Sequence, residues 1–143
     1  MILLLSVFGL VVVADQLTKA MIVARLQEGA FTSGIAGVRF RHVINRRKPW
    51  GSTRAVRVLM IVWFALTAVT LIVASLIDAP VMHIALGAVL GGATGNLIDG
   101  VSRNGVTDFI DLRVWPVFNL ADTAIVVGAG FLLWIAVPAA MQG

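Results

Sequence analysis

The chain has 143 residues, of which 59% are hydrophobic and only 13% are charged, with a formal net charge of +4. Soluble domains carry about twice that charged fraction, so the composition excludes an ordinary water-soluble protein and predicts one integral membrane domain over residues 1–143. Cysteine is absent, which excludes disulfides and thiolate chemistry. The two histidines, His42 and His83, lie far apart in the sequence. We therefore expect no metal site and no other cofactor, and no nucleic-acid partner.

Four apolar segments are long enough to cross a bilayer, which requires about 20 residues each. In chain order, these predicted spans cover residues 2–23, 56–77, 80–99 and 118–138. The first segment must include Asp15 and Lys19 to reach this length. It lacks a basic N-terminal region, so we expect a retained span rather than a cleaved signal peptide. Pro80 suits a helix start and predicts a tight turn between the second and third spans.

A polar loop at residues 24–54 separates the first two spans. Within it, Val38 and Phe40 alternate with Arg39 and Arg41, which is the pattern of a short strand. We expect a small sheet on the membrane surface, because irregular backbone within the hydrocarbon would leave polar groups unsatisfied.

Small residues mark one face of two of the predicted helices. Gly87, Gly91 and Gly95 fall four apart in the third span, and this spacing indicates close packing against another helix. Gly128 predicts a similar smooth face on the fourth span, together with Ala121 and Ala124.

Asp15 and Lys19 are one helical turn apart, in the order that favours an ion pair within the helix. One interpretation is an interfacial polar patch with Lys19 snorkelling outward. The interpretation that we favour is a structural polar clamp at one end of the first span.

The end of the third span carries further polar residues. Asn96 needs a hydrogen-bond partner at the end of an apolar helix. Asp99 lies near a helix C-terminus, where it needs a cation that Arg103 could supply. Local capping and a role in an active site both remain open for these residues.

Two further aspartates lie beside the fourth span. Asp122 follows Asn119 by three residues and shares its helix face, although Asn119 could equally be a helix N-cap. Asp108 lies 14 residues before Asp122, and Asp111 is a competing partner for Asp108. Two carboxylates that share a proton can activate water, which is the chemistry of aspartic proteolysis. An alternative is a small transporter that uses Asp15 with these two residues for protons or a cation.

Four motifs together resemble those of the lipoprotein signal peptidases, also called type II signal peptidases. They are DQLTK at 15–19, GGATGNLID at 91–99, GVTDFID at 105–111 and FNLADTAI at 118–125. The resemblance implies an all-α membrane protein, with four transmembrane helices and a small extracytoplasmic β-cradle inserted between the first two. It implies a bacterial inner-membrane aspartic endopeptidase that removes the signal peptide from diacylglyceryl-modified prolipoproteins, just before the lipidated cysteine. An alternative that the resemblance leaves open is a pseudo-enzyme that keeps the fold and binds lipopeptides without cutting them. We expect a monomer.

The resemblance also assigns roles to residues of this chain. Asp108 and Asp122 correspond to the catalytic dyad. The polar residues expected to line the site or bind substrate are Asn45, Asn96, Asn119 and Arg103. The residues of the structural clamp are Asp15, Lys19 and Asp99.

The sequence departs from the family pattern in two places. An N-x-G-x-A-F-G-like stretch is replaced by NRRKPWGS at 45–52, and Gly100 stands where the family usually has arginine, a loss for which Arg103 could substitute. These departures predict a divergent member with altered substrate handling.

All 11 lysines and arginines lie on one side of the predicted membrane topology, between Lys19 and Arg57 or at Arg103 and Arg113. The positive-inside rule would place that side in the cytoplasm. The resemblance places it outside, with both termini in the cytoplasm, and we follow the resemblance. Basic side chains near the surface can bind anionic head groups, at about 1 kcal/mol each.

Overall fold

The computed structural model describes residues 1–34, 37–46, 50 and 52–141, with side chains up to residue 137. Its four long helices are α1 (Ile2–Arg25), α2 (Thr53–Leu76), α3 (Pro80–Arg103) and α4 (Leu120–Met141). Each is long and apolar enough to cross a membrane, which confirms the four predicted spans. α3 runs four residues past its predicted end at 99, and α4 begins two residues after its predicted start at 118.

α3 packs closely on α1 because its glycine row faces that helix. A Cβ added at Gly87 would lie 2.6 Å from Leu4 O, and one at Gly91 would lie 2.9 Å from Phe8 O. A larger side chain at either position would push the helices apart. Gly95 continues the row at the level of the buried polar groups described below. The predicted packing role of these glycines is therefore confirmed.

α3 also contacts the other two helices, α4 and α2. A Cβ at Gly128 of α4 would lie 2.8 Å from Ala85 O, so α4 also approaches α3 across a smooth face. α2 is joined to α3 by a hydrogen bond of 2.9 Å from Trp63 Nε1 to Thr94 Oγ1. α3 is thus the helix against which the other three are placed.

Three antiparallel strands lie at one end of the helices: β1 (Phe31–Ser33), β2 (Arg39–Asn45) and β3 (Val106–Asp111), in the order β1-β2-β3. β1 and β2 form the sheet that was predicted between the first two spans. β3, which joins α3 to α4, was not predicted. The register between β2 and β3 shifts between Phe40 and Val43, so the simple alternation expected for β2 does not run its whole length.

A sharp turn brings β3 onto β2. α3 ends at Arg103 and is capped by Asn104, whose φ of 52° is left-handed, a common conformation for asparagine at a helix C-terminus. A Cβ at the next residue, Gly105, would lie 2.8 Å from Ile44 Cγ2, so only glycine permits this close approach. The turn sets Asp108 opposite Val43 in the ladder.

Candidate active site

Asp108 is held on the middle of β3 and is only 5% exposed. Its two carboxyl oxygens accept hydrogen bonds from two amides, at 3.2 Å from Asn45 Nδ2 and 2.8 Å from Asn119 Nδ2. Asn45 is the last residue of β2, so strand pairing carries it to Asp108 across the sheet.

Asp122 lies in the first turn of α4 and forms a capping box with Asn119. Asn119 Oδ1 accepts from the Asp122 backbone N–H at 2.9 Å, and Asp122 Oδ2 accepts from the Asn119 backbone N–H at 3.2 Å. A carboxylate is favourable at this position because the helix N-terminus carries partial positive charge. The predicted N-cap role of Asn119 is confirmed, and the same side chain also donates to Asp108, while its role in an active site stays a prediction.

Asn119 therefore joins the two carboxyl groups, and its contacts place them side by side. Burial raises the pKa of the Asp108 carboxyl to about 6, and the neighbouring Asp122 carboxylate adds to the rise. The hydrogen bonds from Asn45 and Asn119 and the charge of Lys19 act in the opposite direction. The result is an acid that keeps its proton to a much higher pH than an ordinary aspartate.

Asn96 on α3 completes the group of side chains that we call the carboxyl layer, which also contains Asn45, Asp108, Asn119 and Asp122. Its amide nitrogen donates to Asp122 Oδ1 at 2.8 Å. Its oxygen accepts from Asn119 Nδ2 and from Lys19 Nζ, both at 3.1 Å. A lysine ammonium has only donors, so Asn96 must turn its oxygen towards Lys19 and its NH₂ towards Asp122. Lys19 thus fixes the orientation of an amide that binds one of the two carboxylates.

Next to the carboxyl layer lies a second group, the ion-pair layer, whose charged side chains pair with one another. Its members are Asp15, Lys19, Asp99 and Arg103. Lys19 is fully buried and lies 2.8 Å from Asp15 and 3.5 Å from Asp99. Asp99 also binds Arg103 at 2.6 Å and the Thr107 backbone N–H at 2.9 Å. The predicted Asp15–Lys19 ion pair is confirmed, and the alternative of a snorkelling Lys19 is wrong because neighbouring helices enclose the side chain.

The clamp also spans the helices. Asp15 Oδ1 accepts from the Ala121 backbone N–H of α4 at 3.0 Å. A Cβ at Gly95 would lie 2.6 Å from Asp15 Oδ2, so the glycine makes room for the carboxylate between α1 and α3. The ion pairs therefore fix the start of α4, where Asp122 lies.

Arg103 and Asp111 lie at the edge of the two layers. Arg103 supplies the cation predicted for Asp99, and its role towards substrate stays a prediction. Asp111 binds Arg39 at 2.7 Å and the Arg113 backbone N–H at 2.8 Å. The Arg113 N–H lowers the pKa of Asp111, with Arg39 contributing, so this carboxylate is engaged elsewhere and does not compete for Asp108.

Thr107 was missed by the sequence analysis. It is fully buried; its N–H donates to Asp99, and its C=O accepts from Asn119 Nδ2 at 3.4 Å. It connects the ion-pair layer to the carboxyl layer through the backbone of β3. Its position directly before Asp108 was the only available signal.

Two apolar grooves flank the carboxyl layer. One, of about 300 Å³, includes Asp122 among the residues of its wall, which are Leu112, Trp115, Phe118, Asp122, Thr123, Val126 and Val127. The other, of about 210 Å³, lies between α2 and α3 and includes Asn96. The arrangement can therefore present water-activating acids to a ligand with long apolar parts.

The two departures from the family pattern meet in space. Trp50 packs on Gly100 so closely that a Cβ at Gly100 would overlap the indole ring. Residues 47–49 and 51 of the divergent stretch lie outside the described residues. In the described part of the chain, no three histidine, aspartate or glutamate side chains group as metal ligands.

Comparisons with known proteins identify the family and the fold. The family described as Signal peptidase (SPase) II matches residues 7–137. The lipoprotein signal peptidase of Syntrophomonas wolfei is 38% identical over 133 residues, covering 91% of this chain and 89% of the relative. That of Halothermothrix orenii is 32% identical over 133 residues, covering 87% and 88%. That of Moorella thermoacetica is 54% identical over 67 residues, covering 46% of this chain and only 45% of the relative.

Two solved structures of bacterial membrane enzymes share the fold. One has a TM-score of 0.82 and 24% identity, covering 97% of this chain and 90% of the other. The second has a TM-score of 0.79 and 27% identity, covering 93% and 91%.

Proposed function

Because the chain belongs to the signal peptidase II family, we propose that it is an aspartic endopeptidase that cuts diacylglyceryl-modified prolipoproteins just before the lipidated cysteine. As a member of this family, it is a multi-pass peptidase of the bacterial inner membrane that processes prolipoproteins. The aspartic mechanism is our proposal, and it uses Asp108 and Asp122 as the reacting pair.

The observation that carries the mechanism is the shared partner of the two acids. Asn119 donates through Nδ2 to Asp108 and through its backbone N–H to Asp122. Since both carboxyl groups contact one residue, a single water molecule can lie within hydrogen-bond reach of both.

In the proposed reaction, the two acids hold one proton between them. The ionised Asp122 accepts a proton from the water, whose oxygen attacks the scissile carbonyl carbon. The protonated Asp108 donates a hydrogen bond to the carbonyl oxygen as negative charge develops there. The tetrahedral intermediate then collapses, the C–N bond breaks, and the proton taken from water passes to the leaving amine.

The raised pKa of Asp108, about 6, supports its role as the proton carrier. Coupled carboxyl groups titrate as a pair, so this assignment describes the dominant microstate. An apolar substrate that covers the site would exclude water and favour the protonated form further. Asp122 is suited to the ionised role, because N–H donors contact both of its oxygens.

The remaining polar residues would position substrate. Asn45 lies at the end of the central strand, beside Asp108, where the sheet can hold the peptide from above. Arg103 is one-third exposed while bound to Asp99, so it can also reach a substrate carbonyl. All of the site residues described above come from one chain, and we expect a monomer to be active.

Cleavage of a diacylated prolipoprotein by the purified protein tests the proposal. We expect Asp108→Asn and Asp122→Asn each to lower kcat by at least about 1,000-fold, as loss of a reacting group does. Asp111→Asn is the matched control, since it removes a carboxylate from the same strand as Asp108 but outside the pair, and it should cleave within a few-fold of the wild type. Equal cleavage by all four proteins would reject the dyad.

Two other results would favour the alternative functions. A protein that binds the lipopeptide and never cleaves it is the pseudo-enzyme. A protein that neither binds nor cleaves it, but carries protons or cations into vesicles, is the transporter.

We also propose that the sheet faces outward and that both termini lie in the cytoplasm, with the basic residues near the sheet contacting anionic head groups. A reporter active only in the cytoplasm, fused after Gly143, should give full activity. A reporter active only outside should give none there, and the reverse pair of results would overturn the orientation.

A further inference from the structure

The Trp50 indole packs directly on position 100, where only glycine leaves room for the ring. Gly100 lies near the end of α3 and is buried, and the carbons Cζ3, Cε3 and Cδ2 of Trp50 are the atoms that its absent Cβ would overlap. Trp50 itself precedes α2, so this contact joins the entrance of α2 to the end of α3. The indole is half-buried, which leaves part of its ring facing outward.

That ring forms the outer wall of the groove between α2 and α3. The remaining wall is apolar apart from one amide and consists of Leu59, Val62, Trp63, Leu66, Ala93, Asn96 and Leu97. Leu59 and Leu66 are seven residues apart on α2, so the groove runs about 10 Å along the helix. It leads from the level of the sheet into the depth of the membrane.

Asn96 connects this groove to the reacting groups. It is the polar residue of the wall, and its side chain donates to Asp122 at 2.8 Å. The Asn96 amide would therefore lie between a ligand in this groove and the carboxyl pair. The larger groove includes Asp122 in its own wall, so the peptide bond to be cut belongs on that side.

From these contacts we propose that Trp50, seated on Gly100, walls a subsite for one acyl chain of the substrate lipid and so determines acyl-chain specificity. This inference rests on the proposed function. The lipid is attached to the residue next to the scissile bond, so its chains must leave the carboxyl layer within a few ångströms. An apolar groove that begins at Asn96 and descends into the membrane gives one chain that path.

Trp50 and Gly100 should act as a coupled pair in kinetic experiments. Gly100→Ala would push the indole from its seat and open the groove, whereas in a Trp50→Ala protein the same alanine meets no ring. We expect either single variant to raise KM for long-chain diacylated substrates about tenfold, since each methylene that leaves an apolar site costs several-fold in binding. The double variant should be no worse than Trp50→Ala alone.

The measurement is kcat and KM for one prolipopeptide carrying short, medium or long acyl chains. Gly9→Ala is the matched control, because a Cβ there meets nothing within 4 Å. Wild type and control should prefer long chains, while Trp50→Ala should lose that preference in KM with kcat unchanged. Thermal unfolding of each variant shows whether it is folded.

The outcomes separate this inference from the proposed function. If the wild type cleaves no prolipoprotein, the proposed function fails first. If the wild type cleaves normally and Trp50→Ala keeps its chain-length preference, the groove holds bulk membrane lipid and the specificity role is wrong. Additive effects of Trp50→Ala and Gly100→Ala would equally overturn the coupling.

Discussion

Four aspartates lie within two adjacent layers at one end of the helices, and their partners differ between the layers. In the ion-pair layer, Asp15 and Asp99 are bound to the cations Lys19 and Arg103. In the carboxyl layer, asparagine amides donate hydrogen bonds to the side chains of Asp108 and Asp122. The same side chain thus pairs with cations in one layer and with neutral amides in the other.

The difference shows how a membrane protein can separate architecture from chemistry. A cation next to a buried carboxylate stabilises its charge and makes it a poor proton carrier. An amide positions a carboxyl group without adding a full charge. Lys19 serves both layers, since its ammonium binds Asp15 directly and reaches Asp122 only through Asn96.

Loss of Lys19 should produce the largest change in stability. Lys19→Met leaves Asp15 as a buried charge without its cation, and we expect the free energy of unfolding to fall by about 3–5 kcal/mol. Thermal unfolding in detergent measures this loss. Adding Asp15→Asn should restore most of the stability, because the uncompensated charge is then gone.

The same double variant tests whether Lys19 also orients Asn96. Without the ammonium, the Asn96 amide can turn, so we expect kcat to stay about tenfold or more below the wild type even where stability has recovered. Full recovery of both stability and kcat would show that the two layers are independent.

Asp108→Asn should have a smaller and opposite effect on stability. The folded state holds the Asp108 proton up to about pH 6, whereas the unfolded chain releases it near 3.8. Stability therefore falls as the pH rises through that window, and the cost is complete above it. We expect Asp108→Asn to stabilise the protein by up to about 3 kcal/mol at neutral pH and by nothing below the window.

Unfolding curves of wild type and Asp108→Asn across this pH range measure the effect. If the variant is instead less stable than the wild type at neutral pH, the folded protein stabilises the ionised Asp108 as well as it stabilises Asp15 and Asp99.

The smallest effect should come from the partly exposed ion pair between Arg39 and Asp111, in which Arg39 faces solvent and Asp111 is buried. Arg39 is 28% exposed, so water already screens much of its attraction. We expect Arg39→Gln to cost less than about 1 kcal/mol of stability and to leave cleavage unchanged. A loss as large as that of Lys19→Met would show that the sheet edge, rather than the buried clamp, holds the site together.

The sequence predicted the parts of this fold that depend on local spacing. The four spans follow from length and hydropathy, the Asp15–Lys19 pair from one helical turn, and the Asn119–Asp122 cap from a separation of three residues. The glycine row of α3 likewise identified its packing face from spacing alone.

What the sequence could not predict depends on contacts between distant segments. β3 was missed because VTDFID becomes a strand by pairing with β2, more than 60 residues earlier. The bridge through Asn96 from Lys19 to Asp122 joins three helices, and no local pattern encodes it. The contact of Trp50 with Gly100 depends on the fold in the same way.

The carboxyl layer is assembled from widely separated parts of the chain. Asn45 comes from the first surface loop, Asn96 from α3, Asp108 from β3 and Asp122 from the last helix. A growing polypeptide therefore lacks half of its reacting pair until α4 has left the ribosome and entered the bilayer. Under the proposed mechanism, newly made copies are inert until this fourth helix has been synthesised and inserted.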